Sequence, residues 1–235
     1  MVRFKRILLK LSGESLMGEQ GYGIDEKRLG EYVRQIKEVH DLGVEIGIVI
    51  GGGNIFRGLK GTGRGFDRVK GDQMGMLATV INGLALSSAM SSIDCPSIVL
   101  TAIRMEPIGE FYSKQKAIES MKQGKVVILV GGTGNPYFTT DTTAALRGME
   151  LKCDAIIKAT KVDGIYDKDP AKFADAVKYD SITYDETLAR HLGVMDATAF
   201  ALVRDNNVPI IVCRMFGGDI CRAINGEAVG TIVQN

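Results

Sequence analysis

The sequence has no tryptophan and only two histidines, His40 and His191, among its 235 residues. Both histidines fall near the ends of helical stretches, where the helix dipole and solvation account for an imidazole. A Ser-His-Asp or Cys-His nucleophile pair therefore has no support. The four cysteines, Cys95, Cys153, Cys213 and Cys221, are scattered and form no CxxC pair. That spacing speaks against a zinc site or a disulfide frame and for reduced thiols in a cytosolic protein. Neither sign of charge dominates, with 29 Lys and Arg against 28 Asp and Glu. Such a balance gives no bias toward nucleic acid or an anionic membrane, although it does not report on a local cationic site. No apolar run approaches the roughly 18 uninterrupted residues of a membrane span. The opening MVRFKRILLKLSGES mixes charge through a short apolar run and does not read as a signal peptide. GxxxxGK[ST] is absent, and so is GxGxxG after a strand, which argues against a P-loop kinase or a Rossmann dinucleotide enzyme.

Glycine, by contrast, is abundant. The 29 glycines exceed the usual share of about 7%, and many follow apolar runs. The run Val126 to Val130 predicts a buried parallel strand. Gly131, Gly132, Gly134 and Asn135-Pro136 then impose a loop. Thr139, Thr140 and Asp141 are cap-type residues ahead of a helical stretch. Strand, glycine loop and capped helix present backbone N–H groups to an anion, or simply make a compact connection.

Arg6 to Leu11 predicts a first strand ending in Lys10-Leu11-Ser12-Gly13. Asp25 caps a helix with Leu29, Tyr32, Val33, Ile36 and Val39 on one face, and Gly43 stops it. Val44 to Ile50 predicts a second strand, ending in Gly51-Gly52-Gly53-Asn54. Gly58 to Gly71 reads as a mobile glycine-rich loop. Asp72 to Met90 predicts a long helix capped by Asp72, either central in the core or packed on a second subunit. Strands are further expected at Ser97–Ile103, Asp154–Ala159, Val208–Cys213 and, at a sheet edge, Val229–Val233. Helices are expected at Ser113–Gln123, from Asp185, at Val194–Asp205 and at Asp219–Asn225, with a loop through Tyr179 after Thr160. The alternation argues for a three-layer α/β/α sandwich with a mainly parallel central sheet. The chain reads as one domain, with a soft division near Asp154.

In a parallel sheet, Lys10–Gly13, Gly51–Asn54 and Gly131–Thr140 share the C-terminal edge and converge on one crevice. A cation beside two glycine loops suits a polyphosphate. Lys10 follows Ile7-Leu8-Leu9, so it either meets an anion or snorkels out at the strand end. Asp72, Asp141, Asp169 and Asp196 lie near strand ends, as site carboxylates or as caps and turn residues.

These motifs carry a resemblance. KLSGE at Lys10–Glu14, IGGGNIFRG at Ile50–Gly58, GDQMGMLATVINGLA at Gly71–Ala85, GTGNPYFTTD at Gly132–Asp141 and KATKVDGIYDKDP at Lys158–Pro170 resemble bacterial uridylate (UMP) kinases of the amino acid kinase superfamily. The likeness runs from about Lys5 to the C-terminus. It implies an amino acid kinase-like fold, with an acceptor-binding lobe of roughly 1–153 and an ATP-binding lobe of roughly 154–235. The implied activity is ATP-dependent, magnesium-assisted phosphorylation of UMP to UDP, in cytoplasmic pyrimidine nucleotide biosynthesis. The implied catalytic pair is Lys10 and Asp141. Lys10, Leu11, Ser12, Gly13, Gly53 and Arg57 correspond to ATP-phosphate contacts, and Thr160, Tyr166 and Asp169 to contacts with adenosine. Gly52 and Asp72 correspond to UMP contacts. So do Thr133, Gly134, Asn135, Pro136, Tyr137, Phe138, Thr139 and Thr140. Asp196 corresponds to a position near magnesium. Gly18, Glu19, Gln20, Gly21, Tyr22 and Gly23 correspond to a segment tied to GTP response. Family members form homohexamers; many are inhibited by UTP and some activated by GTP. No role transfers to Leu59–Phe66. Other readings are an amino acid kinase with a small carboxylate or carbamate acceptor, and a non-catalytic nucleotide-binding assembly.

Overall fold

The computed structural model describes residues 2–56 and 67–235. The first half runs β1 (Arg6–Leu11), a 3-10 helix (Gly13–Met17), α1 (Glu26–Asp41), β2 (Glu45–Ile50), α2 (Arg68–Ser91), β3 (Ser97–Thr101), β4 (Glu110–Phe111), α3 (Lys114–Lys122) and β5 (Val126–Val130). The second half runs α4 (Thr140–Glu150), β6 (Ala155–Thr160), β7 (Ile165–Tyr166), β8 (Lys178–Tyr179), β9 (Ser181–Thr183), α5 (Tyr184–Ala189), α6 (Ala197–Asp205), β10 (Ile210–Arg214), α7 (Asp219–Ile224) and β11 (Thr231–Gln234).

The nine-stranded sheet has the order β4-β3-β5-β2-β1-β6-β10-β11-β9, and β7 pairs with β8 separately. Every neighbouring pair in the large sheet is parallel except β10 with β11. Strands buried on both faces need apolar residues at every position, as ILL, IVI and VVILV supply. The side chains alternate between two cores. Ile7, Leu9 and Leu11 meet residues of α1, α2 and α7 on one face. Leu8 and Ile156 meet residues of α3, α4 and α6 on the other. The expected three-layer sandwich is thus present.

Several boundaries differ from the sequence reading. The long helix starts at Arg68, and Asp67 caps it by accepting the Lys70 N–H. Asp72 therefore lies one turn inside the helix and is not its cap. Of the loop expected over Gly58–Gly71, the stretch 58–66 lies outside the described residues, and the chain is helical from Arg68. Thr139 caps α4, which places Asp141 in the first turn. The last strand is not an edge, because β9 pairs beside it. The connection after Thr160 holds the β7–β8 hairpin.

By length and composition alone, α2 could cross a membrane. Here it covers the sheet, and its buried polar residues Thr79 and Asn82 bond to the glycine loops described below. Its other face leaves Leu77 and Ile81 half exposed, with Met74 and Leu84 beside them.

Candidate functional site

The sheet order places β5, β2, β1 and β6 side by side, so the loops leaving their C-terminal ends meet. Contact between the loops after β1 and β2 is intimate. A Cβ on Gly13 would lie 2.1 Å from the Gly51 carbonyl oxygen, so only glycine lets these backbones touch. The Gly51 N–H donates to the Leu11 carbonyl at 3.1 Å. Gly52 packs on α2, where a Cβ would meet that of Ala78 at 2.7 Å. A buried amide pair fixes this loop. Asn82 donates to the Gly51 carbonyl at 2.7 Å and to Asn54 Oδ1 at 2.7 Å. Asn54 donates back to Asn82 Oδ1 at 2.9 Å and to the Gly23 carbonyl at 2.8 Å.

The β5 loop is held in the same way. The Thr79 hydroxyl donates to the Met76 carbonyl and accepts the Gly131 N–H at 2.9 Å. Asp72 accepts the Tyr137 N–H at 2.8 Å and pairs with Arg68 at 2.8 Å. Tyr137 adopts φ +70°, a left-handed conformation costly for a non-glycine residue. The Asp72 bond gives that strained peptide a partner.

These loops and α2 enclose a cavity of about 420 Å³. Gly52, Asp72, Thr133, Asn135, Phe138, Thr139 and Thr140, which the resemblance groups with UMP, line it together with Gly53, which the resemblance groups with ATP phosphates. Gly134, Pro136 and Tyr137 are not among its lining residues. Arg68, Met76, Thr79 and Thr143 line it without having been anticipated. A second cavity of about 430 Å³ opens beyond β6, lined by Thr160, Tyr166 and Asp169. The unexpected contributors there are Lys158, Arg190, His191 and Val194.

Between the two cavities lies a charged triad. Lys10 Nζ is 2.8 Å from Asp141 Oδ1, and Lys158 Nζ is 3.1 Å from Asp141 Oδ2. Asp141 follows Thr140 of the first cavity, and Lys158 lines the second. Burial alone would raise the Asp141 pKa, but the charges of Lys10 and Lys158 outweigh it and hold the carboxyl below its ordinary value. Burial acts on Lys158 in the opposite sense, and with the Lys10 charge it pushes that ammonium below the usual lysine value despite Asp141. Lys158 also donates to the Val194 carbonyl in a short bond. Lys10 therefore meets an anion and does not snorkel. Lys158 was missed by the sequence reading; its signal was a lone charge inside the apolar strand AIIKAT.

Asp196 caps α6 through the Ala199 N–H, and it accepts the Thr142 hydroxyl at 3.0 Å and the Thr139 hydroxyl in a short bond. Leu11, Ser12 and Gly13 form the end of β1 and the turn after it, where the Ser12 carbonyl accepts the Tyr32 hydroxyl at 3.1 Å. In Gly18–Gly23, the Gly23 N–H donates to the Asn54 carbonyl at 2.8 Å, while Tyr22 is exposed. Arg57 lies outside the described residues.

Among the described residues, no cluster of three or more His, Cys, Asp or Glu could cage a metal. The arrangement instead offers cations and hydroxyls between two nucleotide-sized hollows. Such a set can draw two phosphate-bearing molecules together and stabilise charge passing between them.

Comparison with known proteins agrees with this geometry. The model of the amino acid kinase family matches residues 5–214. The chain is 66% identical over 236 residues to a uridylate kinase of Phocaeicola vulgatus, covering 100% of both chains. It is 64% identical, with the same coverage, to a uridylate kinase of Bacteroides thetaiotaomicron. The solved UMP kinase of Bacillus anthracis superposes with a TM-score of 0.95 at 38% identity, covering 98% of this chain and 96% of that one.

Proposed function

The chain belongs to the amino acid kinase family, and from that membership and its uridylate kinase relatives we infer that it transfers a phosphoryl group from ATP to UMP, giving ADP and UDP. The observation that carries this reading is the Lys10–Asp141–Lys158 triad set between two cavities. An oxygen of the UMP 5′-phosphate bonds to the γ-phosphorus while the bond to the bridging oxygen of ADP breaks. The attacking phosphate is already ionised at neutral pH, so no general base is required. The obstacle is the approach of two anions. Lys10, Lys158 and the N–H groups of the glycine loops offset that repulsion. Asp141 holds both ammonium groups in position.

UMP is assigned to the cavity lined by Gly52, Asp72 and the Thr133–Thr140 wall, with Asp72 accepting a ribose hydroxyl. ATP is assigned to the cavity of Thr160, Tyr166 and Asp169, its phosphates running toward Lys10–Gly13 and Gly53. The acceptor lobe is then roughly 1–153 and the ATP lobe roughly 154–235. Magnesium, an ion that dehydrates reluctantly, would be held mainly through nucleotide phosphate oxygens and water. When bound it neutralises charge on the transferring phosphates. Asp196, beside the Thr139 and Thr142 hydroxyls, is the candidate protein contact to it.

The half-exposed apolar face of α2 around Leu77 and Ile81 supports association with further copies, consistent with a homohexamer. The bonds from Gly18–Gly23 to Asn54 support an effector role for that segment, with GTP and UTP as candidate effectors. The four free thiols suit the cytoplasm.

The test is an acceptor panel with ATP and magnesium, repeated with GTP and UTP. ADP release should be fastest with UMP. Faster turnover with CMP, acetylglutamate, carbamate or aspartate would overturn the assignment, and ATP binding without turnover would make the chain a binding protein.

A further inference from the structure

We propose that Thr231 is a positioning residue for ATP, acting through the β7–β8 hairpin that walls the second cavity. The side chain lines neither of the two cavities. It is fully buried at the start of β11, and its hydroxyl holds the neck of the hairpin. The oxygen accepts the Ile165 N–H at 2.8 Å and donates to the Tyr179 carbonyl in a short bond. Ile165 and Tyr179 are register partners at the two ends of the hairpin. One hydroxyl thus satisfies a backbone group on each strand.

The close approach depends on an absent side chain. A Cβ on Gly164 would lie 2.6 Å from the Thr231 hydroxyl oxygen. Beyond the neck, Tyr166, Asp167, Lys168, Asp169 and Pro170 line the cavity. The bonds further out stay within the hairpin: Asp167 N–H to the Val177 carbonyl at 3.0 Å, and Lys168 to Asp175 at 2.6 Å. They shape the hairpin but do not anchor it. Two other ties reach outward, from Arg190 to the Tyr179 hydroxyl at 3.1 Å and from the Ile232 N–H to the Asp180 carbonyl at 3.1 Å. Both are on the Tyr179 side, and on the Ile165 side Asp163 pairs loosely with Arg214 of β10 at 3.9 Å. The Thr231 hydroxyl ties a backbone group of each strand to β11 at once.

Replacing Thr231 with valine keeps the shape and deletes the hydroxyl. The Ile165 N–H and Tyr179 carbonyl then lose their partner, and an unpaired buried group is costly. The neck relaxes by moving, and the cavity wall moves with it. ATP must then select the fraction of molecules with the hairpin in place, which weakens its apparent affinity. UMP is unaffected, because its cavity is lined only by residues between Glu14 and Thr143. This inference rests on the assignment of ATP to the second cavity.

The test compares wild type, Thr231→Val, Thr231→Ser and Asp169→Ala in steady-state assays with each substrate varied, together with calorimetric titration by ATP. Thr231→Val should raise KM and Kd for ATP about tenfold, leaving KM for UMP and kcat at saturating ATP near wild type. Thr231→Ser should restore ATP affinity. An unchanged KM for ATP, an equal rise for both substrates, or a serine variant that restores nothing would overturn the proposal. If Asp169→Ala raises KM for ATP while Thr231→Val does not, the hydroxyl role alone is wrong. If neither moves it, the cavity assignment falls as well. Should Thr231→Val not fold, Thr231→Ala deletes the same hydroxyl and carries the same expectation.

Discussion

Lys10 and Lys158 are directly paired residues of adjacent parallel strands, and both reach the one carboxylate of Asp141. Neighbouring strands lie about 4.8 Å apart, and paired residues present their side chains to the same face. Two cations held so close repel unless an anion lies between them. Asp141 supplies it from the first turn of α4, the helix that covers this face. Two lysines and one aspartate leave a single positive charge for the substrates, fixed before they arrive.

Lys158 should therefore matter to turnover as much as Lys10. Replacing either, as Lys158→Met or Lys10→Ala, should lower kcat about a hundredfold or more, the size seen when one preorganised charge-stabilising donor is lost. Steady-state assays at saturating ATP and UMP decide it. A Lys158→Met enzyme with normal kcat would leave Lys10 acting alone.

Burial, with the Lys10 charge, holds the Lys158 pKa down. It should shed its proton below the roughly 10.4 of a free lysine. The kcat profile should then fall on its alkaline side earlier than a free lysine would dictate. Lys158→Arg keeps its charge throughout, so its alkaline limb should move to higher pH even where kcat is reduced. Asp141 has the opposite consequence. Its pKa is depressed in the folded state, so its contribution to stability is present above the unfolded value of about 3.9 and is lost as pH falls through the folded value. The stability gap between wild type and Asp141→Asn should close in acid, as read by urea unfolding.

The legible parts of this molecule were those encoded locally. Val126–Val130 is a strand with the expected bounds, because an unbroken β-branched run flanked by glycines has no better solution. The face of α1 was visible in its spacing, and Tyr32, Val33, Ile36 and Val39 are buried as expected. The convergence of three loops followed from parallel order alone. What escaped was set by register. Nothing near Lys158 in the chain reveals that it stands beside Lys10, more than a hundred residues away. The start of α2 was misplaced because Asp67 and Asp72 are both cap-type residues and the preceding glycines hid which one ends the loop. Strands of two or three residues, such as β4, β7 and β9, are too short to show a period.

Asp72 serves the acceptor cavity twice, as a lining carboxylate and as the partner of the Tyr137 N–H and Arg68. Asp72→Asn keeps the shape but weakens both bonds and can present a donor where a ribose hydroxyl also donates. It should raise KM for UMP roughly tenfold or more, as loss of a charged hydrogen-bond partner does, with little change in KM for ATP. Varying each substrate in turn separates the two. An unchanged KM for UMP would remove Asp72 from the ribose.

The Asn54–Asn82 pair joins the Gly51–Asn54 loop to α2 and to the segment ending at Gly23. Both residues are buried, so water cannot replace a lost partner. Asn82→Ala leaves the Gly51 carbonyl and the facing amide of Asn54 without those bonds. It should destabilise the fold by about 3 kcal/mol, lowering Tm by roughly 6–12 °C for a chain of this size. Asn54→Ala should cost a similar amount, and the double variant much less than the sum, because each single change already breaks the shared bonds. Scanning calorimetry on the four proteins tests this. Strictly additive losses would mean that the two amides act separately and that the loop owes its position to glycine contacts alone.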